Sequence, residues 1–195
     1  MTNYILITVA ILVLQTGCTI TRSEPLELYA QISKDSREAS KQVSLASGSK
    51  KFDFPPNELM KAIIVASSNN NLAVVNIDND IGFVIAEGPS IISPEEERRH
   101  CEENLIIVKQ QLPVGANARC EASQTRIRIT GTIDSKDGKT STARLGISAQ
   151  NTSRARENGI KIAQYDELGP WATQRTYDIF WHAIDKALFI QKNTK

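Results

Sequence analysis

The sequence has little of what marks an enzyme or a nucleic-acid binder. Its 195 residues include two histidines and three cysteines. No serine stands in a GxSxG setting, no cysteine is joined in a motif to a base, and no glycine-rich phosphate loop is present. Nucleophilic and phosphate-binding chemistry therefore have no residues to rest on. A net charge of +1 excludes the strongly basic surface that nucleic-acid binding needs. Beyond residue 14 there is no second long apolar run. These absences lead to the expectation of a non-enzyme with no catalytic residues, no cofactor, no metal and no nucleic-acid partner.

What is present begins at the amino terminus. Residues 4–14 read YILITVAILVL, with Thr8 as the only clearly polar member. A helix crossing the hydrocarbon needs about 20 such residues, so this run has instead the length of a secretory h-region. Small residues Thr16 and Gly17 follow it. The stretch LQTGC at 14–18 resembles the lipobox of bacterial lipoprotein precursors, although Gln15 stands where that family favours leucine and Leu14 lies one place further back. The resemblance implies cleavage before Cys18, a diacylglycerol thioether on its sulfur and an acyl chain on its amine. Each buried methylene contributes about 0.8 kcal/mol, so three chains hold a protein firmly on a bilayer. Thr19 is not the aspartate that retains such proteins in the inner membrane, which implies the periplasmic face of the outer membrane. Two alternatives remain: an ordinary signal peptide that leaves a soluble periplasmic or secreted protein, and a retained amino-terminal strand with an incidental cysteine.

This reading divides the chain into a signal peptide at 1–17, a lipidated Cys18 with a flexible tether to residue 42, and a single domain at 43–195. Residues 19–42 are polar, rich in serine and charge, and poor in aromatics, with at most a helical turn near 26–32. Cys101 and Cys120 are then the even remainder in an oxidising compartment. A bridge between them closes a 20-residue loop and adds roughly 3 kcal/mol.

Periodicity gives the elements. Val43, Leu45, Phe52 and Phe54 alternate as a strand does, with Gly48 as a break. Residues 55–71 read as a helix opened by two prolines, striped by Leu59, Ile63 and Ala66, and stopped by Asn69–Asn71. Residues 72–88 form a hairpin about Asp78, Asn79 and Asp80. Asn76, Asp78, Asp80 and Glu87 also hold the first, third, fifth and twelfth places of an EF-hand-like loop, but Ile81 occupies the glycine position and the flanks are strands, so a turn is the better reading. Ser93 and Pro94 open a charged helix, and residues 104–112 fit a helical face and a buried strand equally. TRIRITGTI, SKDGKTS and ARLGISAQ make a half-buried hairpin, followed by a polar loop at 150–169. Gly169 and Pro170 open the last helix, where Trp171, Tyr177, Phe180, Trp181, Ile184 and Leu188 share a face that suits core packing.

The expected fold is α+β: an antiparallel sheet of about five strands with two main helices packed on one face. By element order alone, residues 43–192 are similar to the helix-grip domains of periplasmic outer-membrane lipoproteins. His182, with Asp178 and Asp185, reads as a solvated Asp–His pair rather than a metal site, and His100 reads as surface. Charge is uneven: residues 53–103 carry a net −7 and residues 119–161 a net +5. Arg126, Arg128 and Arg144 all fall on the outward side of their hairpin, a candidate face for an anionic partner. The function expected is a membrane-anchored, non-catalytic interaction or structural module of an envelope complex, held by its lipid and partnered by another envelope protein. A periplasmic module that binds a small molecule or an envelope polymer is the alternative.

Overall fold

The structure is a computed structural model that describes residues 18–20, 26–109, 118–120, 125–151, 156–157, 160–161, 164–166 and 168–194. Strands β1 (Cys18–Ile20), β2 (Ser49–Phe52), β3 (Ala73–Asp78), β4 (Phe83–Pro89), β5 (Ala118–Cys120), β6 (Arg126–Asp134), β7 (Ser141–Asn151), β8 (Arg156–Glu157), β9 (Ile160–Lys161) and β10 (Gln164–Asp166) alternate with four helices. The helices are α1 (Leu26–Ser47), α2 (Pro56–Asn69), α3 (Pro94–Lys109) and α4 (Pro170–Asn193). None of these described helices is long and apolar enough to cross a membrane.

The main sheet is antiparallel and runs β10-β7-β6-β4-β3. β2 pairs with residues 141–144 of β7 and β10 with residues 149–151, so two short strands share the outer edge of one long strand. This is the α+β architecture expected from sequence. Strict alternation on β6 sends Ile127, Ile129 and Ile133 inward, where they are buried. They meet Leu59, Ile63 and Ala66 of α2, and Tyr177, Phe180, Trp181 and Ile184 of α4, in one continuous core. The Leu59/Ile63/Ala66 spacing is what lays α2 flat on the sheet. α2 ends where Asn71 takes a left-handed conformation (φ 58°) and the Leu72 N–H reaches back to the Ser67 carbonyl at 2.9 Å.

Three expectations change. First, the tether gives way to structure: from Leu26 the chain is a 22-residue helix, α1, which packs along α4. Among its described side chains, Ser36 and Ser40 are buried and Val43 packs against the core, which leaves little apolar stripe to announce it. The Ser40 hydroxyl donates to the carbonyls of Ser36 and Leu168. Val43 and Leu45 consequently lie on this helix, and the strand begins only at Ser49. Second, residues 104–109 continue α3 as helix; residues 110–112 lie outside the described residues. Third, the expected polar loop at 150–169 contains strand pairing. β7 extends to Asn151, β10 joins its edge, and β8 pairs with β9. Residues 1–17 lie outside the described residues.

Candidate functional site

The outer face of the sheet is built by the same alternation that builds the core. On β6 the outward positions are Arg126, Arg128, Thr130, Thr132 and Asp134. Register then decides their neighbours. Arg128 stands opposite Glu87 of β4 and Ser148 of β7. Its guanidinium Nε donates to Glu87 Oε1 at 2.5 Å, with both side chains partly buried. Arg144 stands opposite Thr132 and pairs with Asp134. Arg126, opposite Pro89 and Gln150, is exposed at the end of the strand.

The three arginines therefore share a face without forming an array. Arg144 is aligned four residues along β6 from Arg128, a separation of about 13 Å at strand rise. Two of the three are neutralised by carboxylates of neighbouring strands. Between the two ion pairs lie Thr130, Thr132, Gly146 and the half-buried Phe83 and Ile85. This amphipathic surface continues to the edge strand β3, where Val75 at the bulge is exposed and Asn76 and Asp78 stand opposite Ile85 and Phe83, and to Ile81 in the adjoining turn. Ile77, opposite the buried Val84, stands on the helix side. A bulge between Val74 and Asn76 interrupts the ladder there.

The candidate cation loop resolves as a turn. Asp78 Oδ1 accepts the N–H groups of Asp80 (3.0 Å) and Ile81 (3.2 Å), and Gly82 takes φ 66°. Glu87, the loop's twelfth position, is engaged by Arg128 instead.

The Asp178/His182/Asp185 trio does not converge either. Asp178 accepts from Gln174 at 2.8 Å, Asp185 pairs with Lys50 at 2.7 Å, and His182 is exposed. His100, expected at the surface, stacks on Trp171 with ring centroids 3.9 Å apart and planes within 8°. Burial against the indole lowers its pKa, opposed by the nearby charge of Glu103. Alongside, Glu96 accepts from Arg175 Nε at 2.5 Å, so two contacts hold α3 to the start of α4. Burial also raises the pKa of Glu97, against the hydrogen bond from Ser90. Sequence reasoning missed this junction because Trp171 lies 71 residues beyond His100 and reads as the first member of the core stripe of the last helix, whereas it is half-buried, outside the core cluster and stacked on His100.

Beneath α4 the interior is filled. Tyr177, Phe180 and Ile184 are fully buried, and the Tyr177 hydroxyl donates to the Leu145 carbonyl at 3.0 Å. An open groove of ≈ 460 Å³ lies instead at the far end of α2 and α4, lined by Glu58, Lys61, Ile64, Val65, Gln191 and Thr194.

Of the candidate cysteines, Cys101 is buried and disulfide-bonded. The backbones of Cys18 and Cys120 face each other across the β1–β5 ladder, while their side chains lie outside the described residues.

Among the described residues, fold and face together define an α+β domain in which helices cover one side of an antiparallel sheet and leave the other side open. No family model matches the chain, and no curated protein matches it. Among solved structures the chain is similar to a DUF4468 family protein from Bacteroides ovatus, at 14% identity over 72% of this chain and 84% of that one, with a TM-score of 0.34.

Proposed function

We propose that the chain is a lipid-anchored envelope protein that works by protein contact, through the open sheet face and its β3 edge. The observation that carries this reading is where apolar surface is found. The space beneath α4 is taken up by Tyr177, Phe180 and Ile184, whereas Phe83 and Ile85 on the open face are half-buried and, at its edge, Val75 in the β3 bulge and Ile81 in the adjoining turn are exposed. A small-molecule site encloses its ligand in an apolar chamber; a protein-contact face carries apolar residues on an open surface with a polar rim. The paired arginines supply such a rim. Anchoring rests on the LQTGC resemblance at residues 14–18.

Two measurements test the reading. Labelled palmitate should be incorporated by the wild type and lost in Cys18→Ser; processing without lipid in the wild type ends the anchoring claim. A photo-cross-linker placed at Thr132, exposed on the open face opposite Phe83, should capture a defined envelope protein in intact cells, while one at His182, exposed on α4, should not. Equal capture at both positions, or none at Thr132, ends the contact claim.

A further inference from the structure

The outer side of the helical layer, turned away from the sheet, carries apolar side chains of its own. Near the end of α4, Phe189 is 69% exposed and Ile190 50%, and Val65 of α2 is exposed as well. Val65 lines the open groove between the two helices together with Gln191, the residue after Ile190. Three exposed lysines surround these side chains. Lys186 stands three and four residues before Phe189 and Ile190, and Lys192 three residues after Phe189, so both are their neighbours on the helix surface. Lys61 lies on the α2 wall of the groove. Among the described residues none of the three is in an ion pair, and Glu58, the acid of the groove, is already engaged. Lys192 sits in the last turn of α4, where it also complements the helix dipole, but Lys61 and Lys186 lie outside any last turn.

The inward sides of both helices are taken up by Leu59, Ile63, Phe180 and Ile184, so the patch is surplus to the core. Its composition decides what fits it. Protein interfaces are depleted of lysine around their apolar centre. An anionic lipid surface takes both residue types: apolar side chains enter the headgroup boundary, while lysine stems lie along them and bring the ammonium groups to the phosphates. We infer that this patch rests on an anionic phospholipid surface, with Phe189, Ile190 and Val65 in the boundary layer and Lys61, Lys186 and Lys192 on the lipid phosphates. The helical layer then faces the bilayer, and the open sheet face on the other side of the domain points away from it, toward a partner. A lipid on Cys18 concentrates the patch at a membrane but supplies none of these contacts.

The test places a photo-cross-linker at Phe189 in the full chain, mixed with vesicles of phosphatidylcholine and phosphatidylglycerol. Mass spectrometry of the peptides then identifies what is captured. Position 189 should yield phospholipid adducts, whereas a cross-linker at Thr132, on the open sheet face, should not. Lys186→Gln should lower the yield at 189 about fivefold, which is what one lysine contributes beside an anionic surface, and vesicles of phosphatidylcholine alone should lower it further. Absence of lipid adducts at 189, equal yields at 189 and 132, or a yield indifferent to both Lys186→Gln and phosphatidylglycerol overturns the inference. Circular dichroism checks that each chain is folded; both positions are exposed, so neither label displaces the core. Palmitate incorporation scores the anchor separately. Adducts at 189 in a chain without lipid count against the anchor alone, and a lipidated chain without adducts counts against this inference alone.

Discussion

The indole N–H of Trp181 donates to the main-chain carbonyl of Ser47 at 2.7 Å, so the middle of the last helix caps the end of the first. The carbonyls at a helix carboxy terminus have no partner within the helix, and a buried end needs one supplied from elsewhere. Ser47 also donates its hydroxyl to Gln174 at 2.8 Å, and the same indole lies 5.9 Å from the Phe52 ring. The first helix is thereby an integral part of the domain.

This contact predicts a graded series. Trp181→Ala removes the ring from a site that is 9% exposed and should cost about 3–5 kcal/mol by cavity formation. Trp181→Phe keeps most of the packing but leaves the Ser47 carbonyl without its donor, which should cost about 1–3 kcal/mol. His182→Ala, one residue on and exposed, should stay within about 0.5 kcal/mol of the wild type. Urea unfolding of the three variants reads the order directly. A histidine change as costly as the tryptophan change would contradict this packing of α4.

Gly48 joins α1 to β2 under tight confinement. Its N–H reaches the Ser44 carbonyl at 2.8 Å and its carbonyl accepts from Leu145 N at 2.7 Å. A Cβ there would collide with the Ser44 carbonyl oxygen and come within 3.0 Å of Leu145 O and 3.1 Å of the Tyr177 hydroxyl. Gly138, at φ +68°, has nothing within 4 Å of the same position. Gly48→Ala should therefore cost about 2–3 kcal/mol through overpacking, against about 1 kcal/mol for Gly138→Ala through its backbone conformation alone. Equal losses in thermal unfolding would mean that the α1–β2 corner relaxes freely.

How much of this was legible in the sequence depends on whether the signal was local. β6 was readable because its isoleucines repeat every second residue and its partner follows one short turn later. α2 was readable from its prolines, its apolar stripe and its asparagine stop. α1 was not, because beside Val43 its buried side carries Ser36 and Ser40, and its links to the last helix and the segment before it run through the Ser40 and Ser47 hydroxyls, bonded to the Leu168 carbonyl and the Gln174 side chain. The outward side of the arginines followed from alternation, but their partners did not. Glu87 and Asp134 become neighbours only once strand order and register are set, and a register shift of one residue would have changed every pair. His100 and Trp171 meet for reasons of helix placement that no spacing rule contains.

The hairpin turn carries a pH signature. Asp137 accepts from the backbone N–H groups of Thr140 (2.7 Å) and Lys139 (2.9 Å) and from the Thr140 hydroxyl, and these bonds lower its pKa from 3.8 to about 2. A depressed carboxylate stabilises the folded state above its unfolded pKa, and that contribution disappears as pH falls through the folded value. NMR titration should show the Asp137 carboxyl changing state near pH 2, with local loosening of the 134–141 turn between pH 4 and pH 2. Titration near 3.8 would mean that the turn does not hold this geometry in solution.

The His100–Trp171 stack should respond in a higher window. Because burial lowers the pKa of His100 from 6.5, the unfolded state binds more protons just below that pH, and stability falls as the medium is acidified from 6.5. Glu97 works in the opposite direction, since its raised pKa favours proton uptake on folding at pH values above 4.5. The histidine effect is therefore read from pH 7.5 down to about 6, above the usual carboxylate range. The slope of melting temperature against pH over that interval should flatten in His100→Gln. An unchanged slope would assign the acid sensitivity to another group.

The Arg128–Glu87 pair gives the sharpest test of the outer face. The two residues are directly opposed across β4 and β6, and their partial burial distinguishes them from a freely solvated pair. Arg128→Glu sets two carboxylates opposite each other and should destabilise the sheet by about 1 kcal/mol, since like charges directly across a ladder repel. Adding Glu87→Arg exchanges the partners and should recover most of that loss. Coupling between the two positions should be about 0.2–1 kcal/mol, and smaller in high salt. Because the exchanged pair preserves net charge and fold while reversing the local pattern, it also separates stability from recognition. A partner that reads this face should bind the exchanged variant poorly even though it is as stable as the wild type. Unchanged binding by the exchanged variant would mean that recognition runs through Phe83, Ile85 and the β3 edge without using the charges.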